Sequence, residues 1–272
     1  MSKVKIGIIG FGNMGSAIAE RIKKDYSVSV LEKDATKIIG ISWVRACADI
    51  AELMNNSDAV ILAVKPQDFE GVLNEIRPYI KEKLVISIAA GITIAYIEKA
   101  LGKARVIRAM PNLAAQIGEG VSGLCKGRFA DGGDLDLAWK LLSYVGLTIS
   151  FDKEEMIDAV TAVSGSGPAY FCHYIKNKES AESKKDEFTQ KLTQAAISIG
   201  FDKVMARRLS ERTVEGTIST LIEKHLSCEE LIRRVASKGG TTEAALALLD
   251  KGSSLEEAVK AALERAKELS KE

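Results

Sequence analysis

The feature that most restricts the fold of this chain is Gly10-Phe11-Gly12-Asn13-Met14-Gly15, set between a short apolar run and a helical pattern. Val4–Ile9 reads as a buried strand of a parallel sheet, since its apolar run ends directly in glycines. Asn13–Lys24 has helical spacing, with Met14, Ile18 and Ile22 on one face. G-x-G-x-x-G alone is a weak signal; between a strand and a helix it has the context of a dinucleotide-binding turn. Gly10 then permits the tight turn, Gly12 lets a pyrophosphate approach the backbone, and Gly15 lets helix and strand pack closely. The phosphates sit at the positive end of the helix, where Asn13 and Met14 begin it.

Strand and helix signals keep alternating through the first half. Ser27–Leu31, Asp58–Val64, Leu84–Ile88 and Arg105–Ala109 read as strands. One helix falls around Ile94–Leu101. Another follows Pro66, whose missing N–H costs nothing in a first turn, with Phe69, Val72, Leu73, Ile76 and Ile80 as its apolar stripe. This order means an α/β fold with a doubly wound parallel sheet covered on both faces. Glu32 ends the second strand, where a carboxylate binds the adenosine ribose and favours NAD. Lys33 follows it, and a cation there holds a 2′-phosphate; the two argue in opposite directions and the sequence does not choose. Ligands of such sheets bind outside the carboxyl ends of the strands. That brings in the loops Val64-Lys65-Pro66-Gln67, Ala89-Ala90-Gly91 and Ala109-Met110-Pro111-Asn112, each either a wall against ribose and nicotinamide or only a tight connection.

From about Lys153 strand signals nearly stop. Ala159–Val163, Ala169–Ile175, Leu192–Ile199, Val204–Leu221, Glu229–Val235 and Thr242–Leu249 read as helices. Leu255–Leu269 is amphipathic, with Leu255, Ala258, Val259, Ala262, Leu263 and Ala266 on one side and Ser253 or Ser254 as N-cap. A length of 272 residues is comfortable for two cores. The expected organisation is a Rossmann NAD(P)-binding domain over residues 1–152 and an all-α domain over 153–272. Lys176–Lys191 is strongly polar, with Ala181 and Phe188 its only apolar side chains, and reads as a solvated helix face or an exposed loop.

Two motifs interrupt the helices. Ser164-Gly165-Ser166-Gly167-Pro168-Ala169-Tyr170 is a glycine-rich break before a helix with proline in its first turn, a pattern that a plain helix junction also shows. Ser237-Lys238-Gly239-Gly240-Thr241-Thr242 precedes the helix from Glu243. Free backbone N–H groups, the helix dipole and two threonine hydroxyls make a seat for a small carboxylate, or an ordinary N-cap. No Ser-His-Asp or Cys-His spacing suggests a nucleophile, and His173 and His225 read as helix residues. Hydride transfer needs none, because the cofactor carries that chemistry.

Five segments, Gly10–Gly15, Ala63-Val64-Lys65-Pro66, Met110-Pro111-Asn112, Ser164–Tyr170 and Ser237–Thr242, make the chain resemble the pyrroline-5-carboxylate reductases nearly end to end. Leu231–Asp250 is similar to that family's signature, a Ser-Pro-Gly-Gly-Thr-Thr loop leading into a helix. The resemblance implies reduction of the C=N bond of 1-pyrroline-5-carboxylate to L-proline by NADPH or NADH, the last step of proline biosynthesis. It implies a helical domain that makes a homodimer, often assembled into larger rings. It implies that Ser237, Gly239, Gly240, Thr241 and Thr242 hold the substrate, with Thr242 hydrogen bonding or supplying a proton near the imine nitrogen. The Val64-Lys65-Pro66 and Ala89-Ala90-Gly91 loops, with Pro111 and Asn112, then line the cofactor, and the nicotinamide is expected in the crevice between the domains. Three departures stand out. Lys238 replaces the family's proline, which loosens the loop and offers an ammonium to the carboxylate. Ile50 stands where the family often has an asparagine on the adenosine side. Lys176–Lys191 is longer and more polar than the family's helix.

A net charge of +1 gives no basic excess for nucleic acid. No segment reaches the roughly 20 apolar residues of a membrane span, and the N-terminal run, broken by Gly7, Gly10 and Gly12, does not read as a signal peptide. Cys47, Cys125, Cys172 and Cys228 form no C-x-x-C pair, so neither a metal site nor a disulfide framework is expected and a reducing cytoplasm fits. The β-hydroxyacid dehydrogenases share the domain order but place a catalytic lysine one turn after a glycine-rich start. Here Pro168, Ala169, Tyr170 and Phe171 follow Gly167, and Lys176 is more than two turns away. The other rival is a sensor that binds the nucleotide without turnover; the intact Gly239–Thr242 loop argues against it. NADH or NADPH, dimer or decamer, and the choice among cyclic imines stay open.

Overall fold

The computed structural model describes residues 3–270. The strands β1 (Lys5–Ile9), β2 (Ser27–Leu31), β3 (Arg45–Ala46), β4 (Ala59–Leu62), β5 (Leu84–Ser87), β6 (Arg105–Pro111), β7 (Gly120–Lys126) and β8 (Gly146–Ser150) form one sheet in the order 3-2-1-4-5-6-7-8. Neighbours are parallel except β6 and β7, so the sheet is mixed at one side rather than wholly parallel. The strand order reverses at the β1–β4 pair, and ligand crevices open at such reversals.

The helices α1 (Asn13–Ile22), α2 (Ile50–Asn55), α3 (Phe69–Ile76), α4 (Ile94–Leu101) and α5 (Gly132–Ser143) cover the two faces. Side chains on β4 show why the apolar runs are unbroken. Ala59 and Ile61 join the core with Ile18 and Ile22 of α1 and Leu141 of α5. Val60 and Leu62 join the opposite core with Leu53 of α2, Leu73 of α3 and Ile97 of α4. Each fully buried Ile or Leu contributes about 1.5–3 kcal/mol. Pro66 opens a 3-10 turn, Pro66–Asp68, before α3, and Ile80 lies beyond that helix after a second such turn.

After Ser150 the chain is helical: α6 (Glu155–Val160), a π-helical turn (Thr161–Gly165), α7 (Gly167–Ile175), α8 (Ala181–Ser198), α9 (Lys203–Glu223), α10 (Cys228–Val235), α11 (Thr241–Leu249) and α12 (Leu255–Leu269). Ser254 caps α12 in a capping box with Glu257. Most of the polar stretch opens α8. Its solvated face carries the charges, while Ala181 and Phe188 are buried and the Phe188 ring lies 5.2 Å from that of Phe171. His173 is in α7, but His225 is not helical as expected; it follows α9 in a left-handed turn, φ 50°. No described helix is long and apolar enough to cross a membrane. The four cysteines are free and buried.

Candidate active site

Gly10 adopts φ 95°, which an L side chain rarely does, and a Cβ there would meet Ala63 O at 2.7 Å. A Cβ on Gly15 would overlap Gly10 O, so the last glycine lets α1 lie against the turn. Gly12 is different: a Cβ there meets nothing within 4 Å. The protein does not need that space, and a ligand approaching the backbone does. Gly12 is also the N-cap of α1, which no side chain caps, so the first-turn amides around Asn13 and Met14 face outward. At the end of β2, Glu32 accepts from Phe11 N at 2.6 Å, from Asp34 N at 3.1 Å and from Lys37 Nζ at 3.2 Å. Burial pushes this carboxyl up, but those donors outweigh it and hold it below the ordinary value. Lys33 points elsewhere, to Asp68 Oδ2 at 3.3 Å. The glycines, the open N-terminus and the acid fit a dinucleotide.

A cleft of about 220 Å³ lies where the α1 N-terminus, the loops after β5 and β6, and the α10–α11 loop meet. It gathers Asn13, Met14, Ala90, Pro111, Asn112, Ser237, Gly240, Thr241 and Thr242 from the sequence expectations. Glu32, Lys33, Ala63, Val64, Lys65 and Pro66 do not line it; Glu32 bonds the glycine turn at Phe11, Ala63 and Val64 pack against Gly10, and Lys65 and Pro66 begin the 3-10 turn before α3. Asn112 is 3% exposed and its side chain is committed within the protein, Oδ1 accepting from Val121 N at 2.9 Å and Nδ2 donating to Ser164 O at 3.1 Å. Gly239 needs its freedom at φ 70°; its N–H donates to Glu243 Oε2 and its carbonyl accepts from Arg265 Nε at 2.8 Å. Lys238 is exposed and lies outside the cleft lining, so the ammonium expected to greet the carboxylate is not in it. Ile50 is buried in the core at the start of α2.

Hydroxyl groups converge at the cleft. Thr242 Oγ1, on the first turn of α11, donates to Ser166 Oγ at 2.9 Å, and Ser166 Oγ lies 3.0 Å from Thr241 Oγ1. No side chain caps α11, whose N-cap is Gly240. The π-helical turn supplies Ser166: the extra residue bonds Ser166 N to Thr161 O at 3.0 Å, five residues back. Tyr170, one turn on, is fully buried, and burial pushes its hydroxyl up, against the pull of Ser166. Arg108 and Arg234 also line the cleft. Sequence reasoning singled out the Ser164–Tyr170 motif without a role for Ser166, and passed over both arginines. Arg108 sits within an apolar strand, and the Ser166–Thr242 contact joins residues 76 positions apart.

An open glycine turn on a doubly wound sheet, sharing a crevice with a helical half, defines an NAD(P)-dependent oxidoreductase. Residues 5–91 match the family model for NADP oxidoreductase, coenzyme F420-dependent, and residues 186–272 match that for pyrroline-5-carboxylate reductase dimerisation. Pyrroline-5-carboxylate reductase 2 of Bacillus subtilis is 36% identical, over 94% of this chain and 90% of its own. The solved pyrroline-5-carboxylate reductase of Coxiella burnetii is 34% identical with a TM-score of 0.67, covering 100% of both chains. The pyrroline carboxylate reductase of Plasmodium falciparum, solved with NADP bound, is 27% identical with a TM-score of 0.63, covering 99% of both chains. The chain belongs to the pyrroline-5-carboxylate reductase family. The family's reaction is the NAD(P)H-dependent reduction of 1-pyrroline-5-carboxylate to L-proline, the last step of proline biosynthesis.

Proposed function

We propose that this chain reduces 1-pyrroline-5-carboxylate by direct hydride transfer in the cleft between the glycine turn and α11. The observation that carries this reading is the Ser166–Thr241–Thr242 hydroxyl cluster, set across one cleft from Asn13, Met14 and Ala90. Gly10, Gly12, Asn13, Met14 and Gly15 hold the dinucleotide phosphates, Glu32 the ribose, and Ala90 and Pro111 the inner wall. A nicotinamide held there would supply a hydride to C5 of the pyrroline, the C=N π pair moving onto the ring nitrogen, which carries a proton as the iminium or takes one from water. The substrate carboxylate takes the uncapped amides of α11 after Gly239 and Gly240, with Ser237 beside them and Arg234 adding a positive charge. Thr242, 3% exposed with its hydroxyl hydrogen donated to Ser166, keeps lone pairs free to accept from the ring N–H and orient it. The remainder of the rate comes from positioning two reactants in one cleft.

Residues 1–152 act in this reading as the cofactor unit and 153–272 as the unit for substrate and self-association, as a homodimer or a larger ring. The match of residues 186–272 to the dimerisation model supports the latter. The four buried free thiols suit the reducing cytoplasm. The test is consumption of NADH and NADPH with 1-pyrroline-5-carboxylate beside pyrroline-2-carboxylate and the six-membered analogue. Turnover fastest with the 5-carboxylate is expected; equal or faster turnover of another imine reassigns the substrate. Light scattering of the same sample reads the assembly, and a monomer at micromolar concentration overturns that part.

A further inference from the structure

We propose that Glu32 makes this chain select NADH over NADPH, by holding a fixed carboxylate where the 2′-phosphate has to sit. The proposal rests on reading Gly10–Gly15 as the dinucleotide turn, since the acid after β2 meets the adenosine ribose only if the phosphates lie there.

Glu32 is anchored rather than free to give way. Oε2 accepts from Phe11 N at 2.6 Å, Oε1 accepts from Asp34 N at 3.1 Å and Lys37 Nζ at 3.2 Å, and the side chain is 5% exposed. Turning it away leaves two backbone amides without partners. Of about four lone-pair sites on an ionised carboxylate, those donors occupy three, which leaves room for a ribose hydroxyl. Its charge is as fixed as its place, because the same donors hold it ionised well below neutral pH despite burial. A ribose hydroxyl donates to such a group. A 2′-phosphate has about two negative charges and no proton to give, so it meets like charge in a half-desolvated corner.

The cations that would offset this are occupied. Lys33, the residue that argues for NADPH in the sequence, is 81% exposed and turned to Asp68, on the turn after β4. Lys37 is held by Glu32 itself. No arginine, whose planar fork suits phosphate, occurs from Glu32 to Val44.

Isothermal titration of the full chain with NADH and with NADPH, at matched ionic strength, tests this without turnover. NADH is expected to bind at least about tenfold tighter, ~1.4 kcal/mol. Glu32→Gln keeps an acceptor but removes the charge, and should bring the two affinities within about threefold, mostly through tighter NADPH. NADPH binding as tightly as NADH in the native chain overturns the proposal, as does an unmoved ratio in folded Glu32→Gln. If neither dinucleotide binds, the glycine turn itself has been misread and the proposal falls with it. The native ratio stands as a test even if the variant does not fold.

Discussion

Arg108 and Asp158 fasten the sheet to the helices: Nη2 of Arg108 on β6 lies 2.8 Å from Asp158 Oδ1 on α6, and both side chains are buried. Glu154 takes the other arm of the guanidinium at 2.9 Å and also accepts from Ile94 N, the first residue of α4. Ser270 donates to Asp158 at 3.0 Å from just beyond α12. The floor of the cleft is thus a charge network joining four elements. Removing one partner strands a buried charge, which costs far more than the pair contributes. Arg108→Leu is expected to lower the unfolding free energy by about 3–5 kcal/mol, read from urea titration. Arg108→Leu with Asp158→Leu should lose less than the single change. A single-variant loss under about 1 kcal/mol would show that water reaches the pair.

Thr242 contributes a hydroxyl to the cleft and almost nothing to the cofactor turn, so its removal should separate the two steps. Thr242→Ala is expected to lower kcat by about 100-fold, the low end of the range for a lost proton-handling group, while the dinucleotide Kd stays within about twofold. Stopped-flow turnover and isothermal titration on one preparation read both. Unchanged kcat would remove Thr242 from the chemistry.

Gly12 and Gly15 should respond in opposite ways to the same substitution. A side chain at Gly12 enters open space, so Gly12→Val is expected to melt within about 2 °C of the native chain, as a surface change does, and to lose dinucleotide binding. A side chain at Gly15 runs into Gly10 O, so Gly15→Val should melt several degrees lower even without ligand. Retained NAD(P)H titration by Gly12→Val would sink the assignment of the turn.

Folding lowers the Glu32 pKa from its ordinary 4.5, so Glu32 stabilises the native chain when ionised in both states. That contribution is complete above about pH 4.5 and disappears as pH falls through the lower native value. The stability gap between the native chain and Glu32→Gln should be flat from neutral pH to about pH 5 and shrink below that. Urea midpoints at a series of pH values check this; a gap that grows on acidification would contradict the bonds at Phe11 and Asp34.

What could be read ahead of the structure was whatever repeats at short range. Ala59–Leu62 and Leu84–Ser87 announce buried strands because both faces are covered, and the glycines of the turn carry fixed offsets. The stretch from β7 to β8 was silent for local reasons. Gly120 and Gly123 dilute the strand signal of β7. The first turn of α5 begins with two glycines, and its capping box pairs Asp131 with Asp134 instead of the usual glutamate. The partners that build the cleft were illegible for another reason: Arg108 meets Asp158 at a separation of 50 residues, and no periodicity encodes a pairing of that range. Lys238 misled because its charge was legible and its direction was not.

The π-helical turn at Thr161–Gly165 makes segment length, more than composition, the quantity under constraint. Each residue winds a helix by about 100°. Deleting one residue there would restore regular winding at little local cost, yet swing Ser166 about a quarter-turn out of phase with Thr241 and Thr242. Val163→Ala is a change of volume; loss of Val163 is a change of phase. Lineages descending from this chain can trade side chains along the turn, but they cannot shorten it and keep the hydroxyls aligned.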